Sequence, residues 1–332
     1  MKRILLIINP ISGTLPKDGL DSRVRSRLEP LGFDVEAVET THAGHGAELA
    51  TKVARKGYHA VIVAGGDGTV NEVAGALVGT NTALGILPFG SGNGLARHLY
   101  GSIDVDHALD IIALDVVSRC DYGTVNGRPF FCTFGLGFDA SVTREFANMS
   151  RRGFMSYIKG AVQEMVNFNP TTYEIRTGGM SIKVKAFIVA VCNASQYGNN
   201  AYIAPNASIH DGLLDIIIVH AGNPLTRAIA GMELFTGHID KNVLIQALRV
   251  NHATIRHLPG PAHIDGEPIF TPQTIHVKCH PGRLLLFTDP HKPPFRPFVT
   301  LAHALRLDSN FLLRENLRIL MSKISRLFTR RR

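Results

Sequence analysis

Between His59 and Leu77 a short apolar run rich in β-branched residues, His59-Ala60-Val61-Ile62-Val63-Ala64, passes through Gly65-Gly66-Asp67-Gly68-Thr69 into Val70-Asn71-Glu72-Val73-Ala74-Gly75-Ala76-Leu77. Apolar positions of the last segment recur at helical spacing, so the glycines sit at a strand-to-helix corner. They can take φ > 0 and leave room for another molecule against the backbone, while the free N–H groups and dipole of the helix start favour an anion. Asp67 is out of place in a plain phosphate turn. A carboxylate there repels phosphate oxygens unless a divalent cation lies between, or unless it takes a proton from an acceptor.

The same alternation runs through the first 120 residues. Strands are predicted at Arg3–Ile8, Asp34–Thr41, Ala60–Ala64 and Ala83–Leu87, with helices around Leu20–Leu31 and Gly44–Lys56 and another from Thr69. This pattern predicts a doubly wound parallel sheet with helices on both faces, whose ligands bind beyond the carboxyl ends of the strands. Three loops leave those ends: Asn9-Pro10-Ile11-Ser12-Gly13, Gly65 to Thr69, and Pro88-Phe89-Gly90-Ser91-Gly92-Asn93-Gly94. All are rich in glycine or small polar residues.

Past Asp121 the pattern becomes β-rich, at Thr171–Thr177, Ser181–Val191, Leu214–Val219, His252–Arg256, Thr274–Lys278 and Arg283–Phe287. Gly178-Gly179, Asn223-Pro224 and Pro259-Gly260-Pro261 punctuate it, and helical patterning falls mainly between Phe146 and Phe168. A β-sandwich is expected as the second domain. The predicted division is an α/β domain over 1–122, completed by part of 291–310, a β-rich domain over 123–290, and a terminal helix over 311–332.

Composition narrows the function classes. No run approaches the roughly 18 apolar residues that span a bilayer, and Met1 to Ile8, stopped by Asn9-Pro10, reads as a first strand rather than a secretory signal. Cys120, Cys132, Cys192 and Cys279 lie far apart without C-x-x-C spacing, which argues against a disulfide framework or structural zinc and fits a reducing cytoplasm. The 15 histidines form no ligand pattern. Of the net +8, the stretch from Phe311 to Arg332 holds seven Lys/Arg and one Glu. Leu313, Leu317, Leu320, Ile324 and Leu327 form a stripe there, so the segment reads as a basic amphipathic helix. It can lie on an anionic membrane or dock on the body of the protein. Nucleic acid is not expected as a partner, because aromatic interleaving and a basic body are both missing.

In order and spacing the loops resemble the lipid kinases with a diacylglycerol-kinase catalytic domain, a group that includes bacterial diacylglycerol kinases and sphingosine kinases. The resemblance covers about residues 1–290. It rests on Asn9 to Gly13, Thr41, GGDGTVNEV from Gly65, Gly90-Ser91-Gly92-Asn93, Gly135-Leu136-Gly137-Phe138-Asp139-Ala140, Asp211-Gly212-Leu213-Leu214-Asp215 and Asp265-Gly266-Glu267. The turn at Gly65 alone would not separate this family from NAD kinases; the later elements favour lipid kinases.

What the resemblance implies is specific. ATP is expected in the cleft, contacted by Asn9, Pro10, Ser12, Gly13, Thr41, Gly65, Gly66, Asp67, Gly68, Thr69, Asn71, Glu72, Gly90, Ser91, Gly92 and Asn93. Asp265 or Glu267 is expected to deprotonate the acceptor hydroxyl. Asp67 and Asp121 would hold a catalytic Mg²⁺ through water, and Asp211 with Asp215 a structural cation. Asp139 would hold the acceptor's polar head; a salt bridge from it to Arg144 or Arg151 is the plainer reading. The expected acceptor is a membrane lipid, diacylglycerol or a sphingoid base, phosphorylated by a cytoplasmic protein in peripheral contact with the inner membrane face through its basic helix. A homodimer is compatible with this reading. NAD kinase, or a catalytically silent nucleotide- and lipid-binding protein, are the alternatives.

One position departs from the bacterial diacylglycerol kinases. They usually carry Asp after the Asn of the third loop, whereas Gly94 stands here, closer to the sphingosine kinases. This removes one acid from the expected Mg²⁺ network and turns the acceptor expectation towards sphingoid bases. Seven of the 17 phenylalanines (Phe130, Phe131, Phe134, Phe138, Phe146, Phe154 and Phe168) fall within 39 residues, with Met149, Met155 and Met165 among them. Such residues can line an acyl-chain pocket or fill the core of the second domain.

Overall fold

The computed structural model describes residues 1–13, 16–141, 143 and 168–292. The amino-terminal half alternates strands and helices: β1 (Lys2–Ile8), α1 (Leu20–Leu28), β2 (Phe33–Glu39), α2 (His45–Arg55), β3 (Ala60–Gly65), α3 (Asp67–Leu77), β4 (Ala83–Pro88), α4 (Gly94–Tyr100) and α5 (Val105–Ala113). β1 pairs in parallel with β2 on one side and β3 on the other, and β3 with β4. The chain therefore reverses direction of travel across the sheet at β1, which opens a crevice at the carboxyl ends of β1 and β3. Both faces of these strands are covered. Ile4 to Ile7, Ala60 to Ala64 and Leu84 are buried, as continuous apolar runs require when helices pack on both sides.

The second half is antiparallel: β5 (Val117–Val125), β6 (Arg128–Phe130), β7 (Thr133–Gly137), β8 (Thr171–Thr177), β9 (Met180–Cys192), β10 (Leu214–His220), α6 (Pro224–Thr236), β11 (Ile245–Val250), β12 (His252–Arg256), β13 (Gly260–Ile264), β14 (Glu267–Thr271) and β15 (Thr274–Phe287). One core, including Phe130, Phe134, Tyr173, Val191, Ile216, Ile255 and Val277, lies between the sandwich sheets. A second, around Phe187, Ile188, Ile203 and Ile217, lies on the opposite face of β9 and β10. Doubly wound α/β followed by a β-sandwich is the architecture expected from the sequence.

Two local expectations needed revision. Pro259-Gly260-Pro261 does not simply separate strands, because β13 begins at Gly260. β7 pairs β13 only from Ala262 to Ile264, so the missing N–H of Pro261 costs no bond on that side. The segments Thr274–Lys278 and Arg283–Phe287 are one strand, irregular between His280 and Leu284, where Pro281-Gly282 falls. The expected helical stretch from Phe146, Phe154, the three methionines with it, part of 291–310 and the basic segment from Phe311 to Arg332 lie outside the described residues. Among the described residues no helix is long and apolar enough to cross a membrane.

Candidate active site

The three loops meet at the crevice. Asn9 donates from Nδ2 to Thr69 Oγ1 at 2.8 Å, and Phe89 donates its backbone N–H to the Gly65 carbonyl at 3.0 Å. A β-carbon on Gly13, whose φ is +69°, would lie 1.7 Å from the Phe89 carbonyl oxygen, and one on Gly90 would lie 2.6 Å from the Gly66 Cα. These glycines are therefore demanded by loop-on-loop contact. Asn93, left-handed at φ 52°, closes the third loop on itself: its Oδ1 accepts from the Gly90 amide and its Nδ2 donates to the Gly90 carbonyl.

Asp67 ties the second loop to the third. It opens α3, and its carboxylate accepts the amides of Asn93 (2.9 Å, Oδ2) and Gly94 (2.8 Å, Oδ1). Enclosure by protein raises its pKa, and the two amides oppose the rise. The acid that looked misplaced in a phosphate turn is thus a clasp between loops. Glu72 is similarly engaged, accepting the Gly44 amide ahead of α2 at 3.1 Å. Thr41 bonds locally, its amide donating to Nδ1 of His45 at 3.1 Å, and Asn71 lies further along α3.

From the sandwich side the turn between β13 and β14 reaches the same crevice. Asp265 and Gly266 both have positive φ, 48° and 84°, forming a two-residue hairpin in which Ile264 faces Glu267. The Asp265 carboxylate accepts the amides of Phe131 at 2.7 Å through Oδ2, and of Cys132 (2.8 Å) and Thr133 (2.7 Å) through Oδ1. Burial pushes its pKa up to about 6 against those three amides, and the charge of Asp67 adds to the rise. Glu267 is exposed, with Oε1 2.9 Å from where a β-carbon on Gly68 would stand. Asp67, Asp265 and Glu267 therefore share one cleft between the α/β domain and the sandwich.

The two halves of this cleft correspond to two sequence profiles. Residues 3–125 match the diacylglycerol kinase catalytic domain and residues 133–288 the YegS C-terminal NAD kinase beta sandwich-like domain. The chain belongs to the lipid kinases built on a diacylglycerol kinase catalytic domain. This lipid kinase is 28% identical over 250 residues to a Bacillus subtilis (strain 168) protein named "Diacylglycerol kinase", spanning 72% of this chain and 82% of that one. A Chromohalobacter salexigens protein named "Probable lipid kinase YegS-like" is 29% identical over 288 residues, spanning 85% and 91%. The fold is that of a solved Bacillus anthracis diacylglycerol kinase, with a TM-score of 0.67 at 21% identity over 87% of this chain and 97% of that one.

Several expected site residues of the kinase stand elsewhere. Asp121 is engaged within the sandwich: it is buried, with Oδ2 accepting the Gly212 amide (2.7 Å) and Oδ1 the Gly282 amide (2.8 Å), so it fastens two sandwich turns. Asp211 and Asp215 flank Arg249, which forms an ion pair with Asp211 and approaches Asp215 at 3.4 Å. The guanidinium already supplies the positive charge that a structural cation would bring. Among the described residues no three His, Cys, Asp or Glu side chains are grouped to share an ion. Asp67 with Asp121, and Asp211 with Asp215, are pairs of carboxylates rather than such groups, and any ion held there would need water or backbone carbonyls to complete its shell.

Asp139 is not presented to an open cleft. It is buried, with Oδ1 on the Ala140 amide and Oδ2 taking Tyr197 Oη (2.9 Å) and His263 Nε2 (3.2 Å). Arg144 and Arg151 lie outside the described residues. Gly94 has a packing reason, since a β-carbon there would come 3.2 Å from the Tyr197 carbonyl oxygen and 3.4 Å from Cys132 Sγ. Phe130, Phe131 and Phe134 are fully buried core, while Phe138 stacks on Phe187 at 4.4 Å and Phe168 meets it edge-on. Lys17 went unnoticed in the sequence. Its ammonium sits over the Phe89 ring at 4.9 Å and bonds the Ser12 carbonyl, and desolvation lowers its pKa. A lone lysine four residues beyond the first loop carries no spacing signal.

Proposed function

We propose that this kinase transfers the γ-phosphoryl group of ATP to the primary hydroxyl of a diacylglycerol-type lipid. The observation that carries the reading is the meeting of the Asp265-Gly266-Glu267 turn with the Gly66–Thr69 turn, which puts a proton acceptor next to a phosphate cradle. The loops suit the nucleotide: close-packed glycine backbone and the start of α3 favour phosphate oxygens. When bound, ATP would supply the electrophilic phosphorus and ADP as leaving group. Asp265 would take the hydroxyl proton; both its oxygens accept amides, yet Oδ2 accepts only one and keeps a second acceptor direction. A carboxyl held near about 6 is suited to that work at neutral pH. Glu267 would face the phosphates from the other domain, and Lys17 would lend positive charge near the first loop.

A neutral glycerol head is favoured over a sphingoid amine because Asp139, the acid expected to hold such an amine, is enclosed by Tyr197 and His263. Asp67 would be the acid nearest the phosphates on the α/β side for any divalent ion arriving with the nucleotide. Peripheral contact with an anionic membrane through the basic segment from Phe311 to Arg332 completes the proposal, and its removal should weaken sedimentation with anionic vesicles. The deciding experiment offers labelled ATP with diacylglycerol, sphinganine, ceramide and NAD. Label in phosphatidic acid is expected; label only in NADP would replace this reading with NAD kinase, and label in no product would favour a silent binding protein.

A further inference from the structure

Outside the residues just assigned, one buried polar pair touches the acceptor turn. His263, at 2% exposure, and Asp139, at 8%, lie face to face in the sandwich. Space has been cleared for them: His263 stands opposite Gly135 in the β13–β7 pairing, and a β-carbon on Gly135 would come 2.1 Å from Asp139 Oδ2 and 2.2 Å from His263 Nε2. The Tyr197 ring meets the imidazole at 68° with centroids 5.8 Å apart, and its hydroxyl donates to Asp139. The imidazole is thereby held in one plane.

Its neighbours assign the tautomer. Gly266 directs its backbone N–H at Nδ1, at a long 3.4 Å, so Nδ1 is the bare nitrogen and Nε2 carries the proton given to Asp139 Oδ2 at 3.2 Å. The turn that donates this bond holds a non-glycine residue, Asp265, at positive φ. It is tethered at Asp265 by three amides and at Gly266 by the imidazole.

We propose that His263 is a positioning residue, relaying the fixed place of Asp139 to the Gly266 amide so that Asp265 and Glu267 are presented to the nucleotide cleft in one arrangement. The catalytic consequence rests on the kinase reading given above; the contacts do not. Tyr197 extends the relay, because its carbonyl also abuts Gly94, whose amide is held by Asp67. Both sides of the cleft are set from one buried pair.

Two half-mimics separate positioning from simple structural satisfaction. His263→Asn keeps an acceptor near the Nδ1 place for Gly266 and loses the donor to Asp139; His263→Gln keeps a donor near the Nε2 place and loses the acceptor. Melting temperature should favour the Gln variant, which still satisfies the buried acid. Activity should invert that order: kcat on diacylglycerol should stay within about threefold for Asn and fall about tenfold or more for Gln, with KM for ATP unchanged in both. If kcat follows melting temperature across the two variants, the proposal is overturned. Hydrogen exchange at the Gly266 amide gives an independent reading: protection kept in Asn and lost in Gln is expected, and equal protection would refute the relay. Wild-type protein that phosphorylates no lipid would sink the kinase reading, while the Gly266 exchange would still decide this one.

Discussion

A β-carbon placed on Gly68 would lie 2.9 Å from Oε1 of Glu267, so the phosphate turn of one domain and the acceptor turn of the other are in direct contact. Gly68→Ala is expected to fold, because the obstacle is the end of a flexible, exposed side chain and alanine suits a helix by up to about 1 kcal/mol over glycine. Displacing Glu267 should nevertheless lower kcat by about tenfold. Steady-state kinetics beside a thermal melt check both halves; unaltered kcat would remove Glu267 from the site.

Asp67→Asn replaces one amide-accepting oxygen with a donor that faces either the Asn93 or the Gly94 N–H. The third loop should loosen, at a cost of about 1–3 kcal/mol for the unsatisfied group. Nucleotide binding by calorimetry and melting temperature should both fall. A variant that binds ATP as the wild type does would show that the clasp is dispensable.

Asp265 must be ionised to accept a proton, and its pKa lies at about 6 instead of the ordinary 3.8. The kcat/KM profile should therefore rise with pH through a limb centred near about 6. Stability has the opposite sign: a carboxyl whose folded pKa is raised stabilises the fold below its unfolded pKa and loses that contribution as pH climbs through the folded value. Relative to Asp265→Asn, the wild type should lose melting temperature between pH 4 and pH 6. A flat difference across that window would contradict the burial assigned to Asp265.

Gly13→Ala combines a left-handed backbone with a β-carbon only 1.7 Å from the Phe89 carbonyl oxygen. The first loop would have to leave the third, and a loss of at least about 1–3 kcal/mol is expected from strain. Denaturant unfolding measures it. An unchanged midpoint would mean that the loops do not touch in solution.

Arg249→Met should leave Asp211 and the buried Asp215 as an unpaired acidic couple. The variant is expected to melt lower and to regain stability with millimolar Ca²⁺, whereas the wild-type melt should not respond through this site. A Ca²⁺-dependent wild-type melt that Asp211→Asn abolishes would restore the structural cation.

The alternating strands, the three glycine-rich loops and their shared edge were legible because period and turn chemistry are local properties. β8 and β12 end where their β-branched patterns end. The partners of the acids were not legible. Asp121, Asp211 and Asp139 each find their bonding groups across the fold, at Gly282, Arg249 and His263, and sequence spacing carries no trace of those meetings. Gly94 shows the same limit: the Tyr197 carbonyl that a side chain there would crowd lies about a hundred residues on, so its packing reason could not be read beside it.

β15 runs unbroken in chain terms from Thr274, opposite Arg256 in the sandwich, to Phe287, with Leu286 beside Leu84 of β4. One strand thus serves as a splint through both domains, stitched to β12 at one end and to the parallel sheet at the other. The walls of the cleft are therefore joined by a paired strand as well as by the connecting chain. The ladder slips at Pro281-Gly282, and that slip point is pinned by Asp121 through the Gly282 amide. The acid read from the sequence as a metal ligand thereby rivets the splint at its one irregular point.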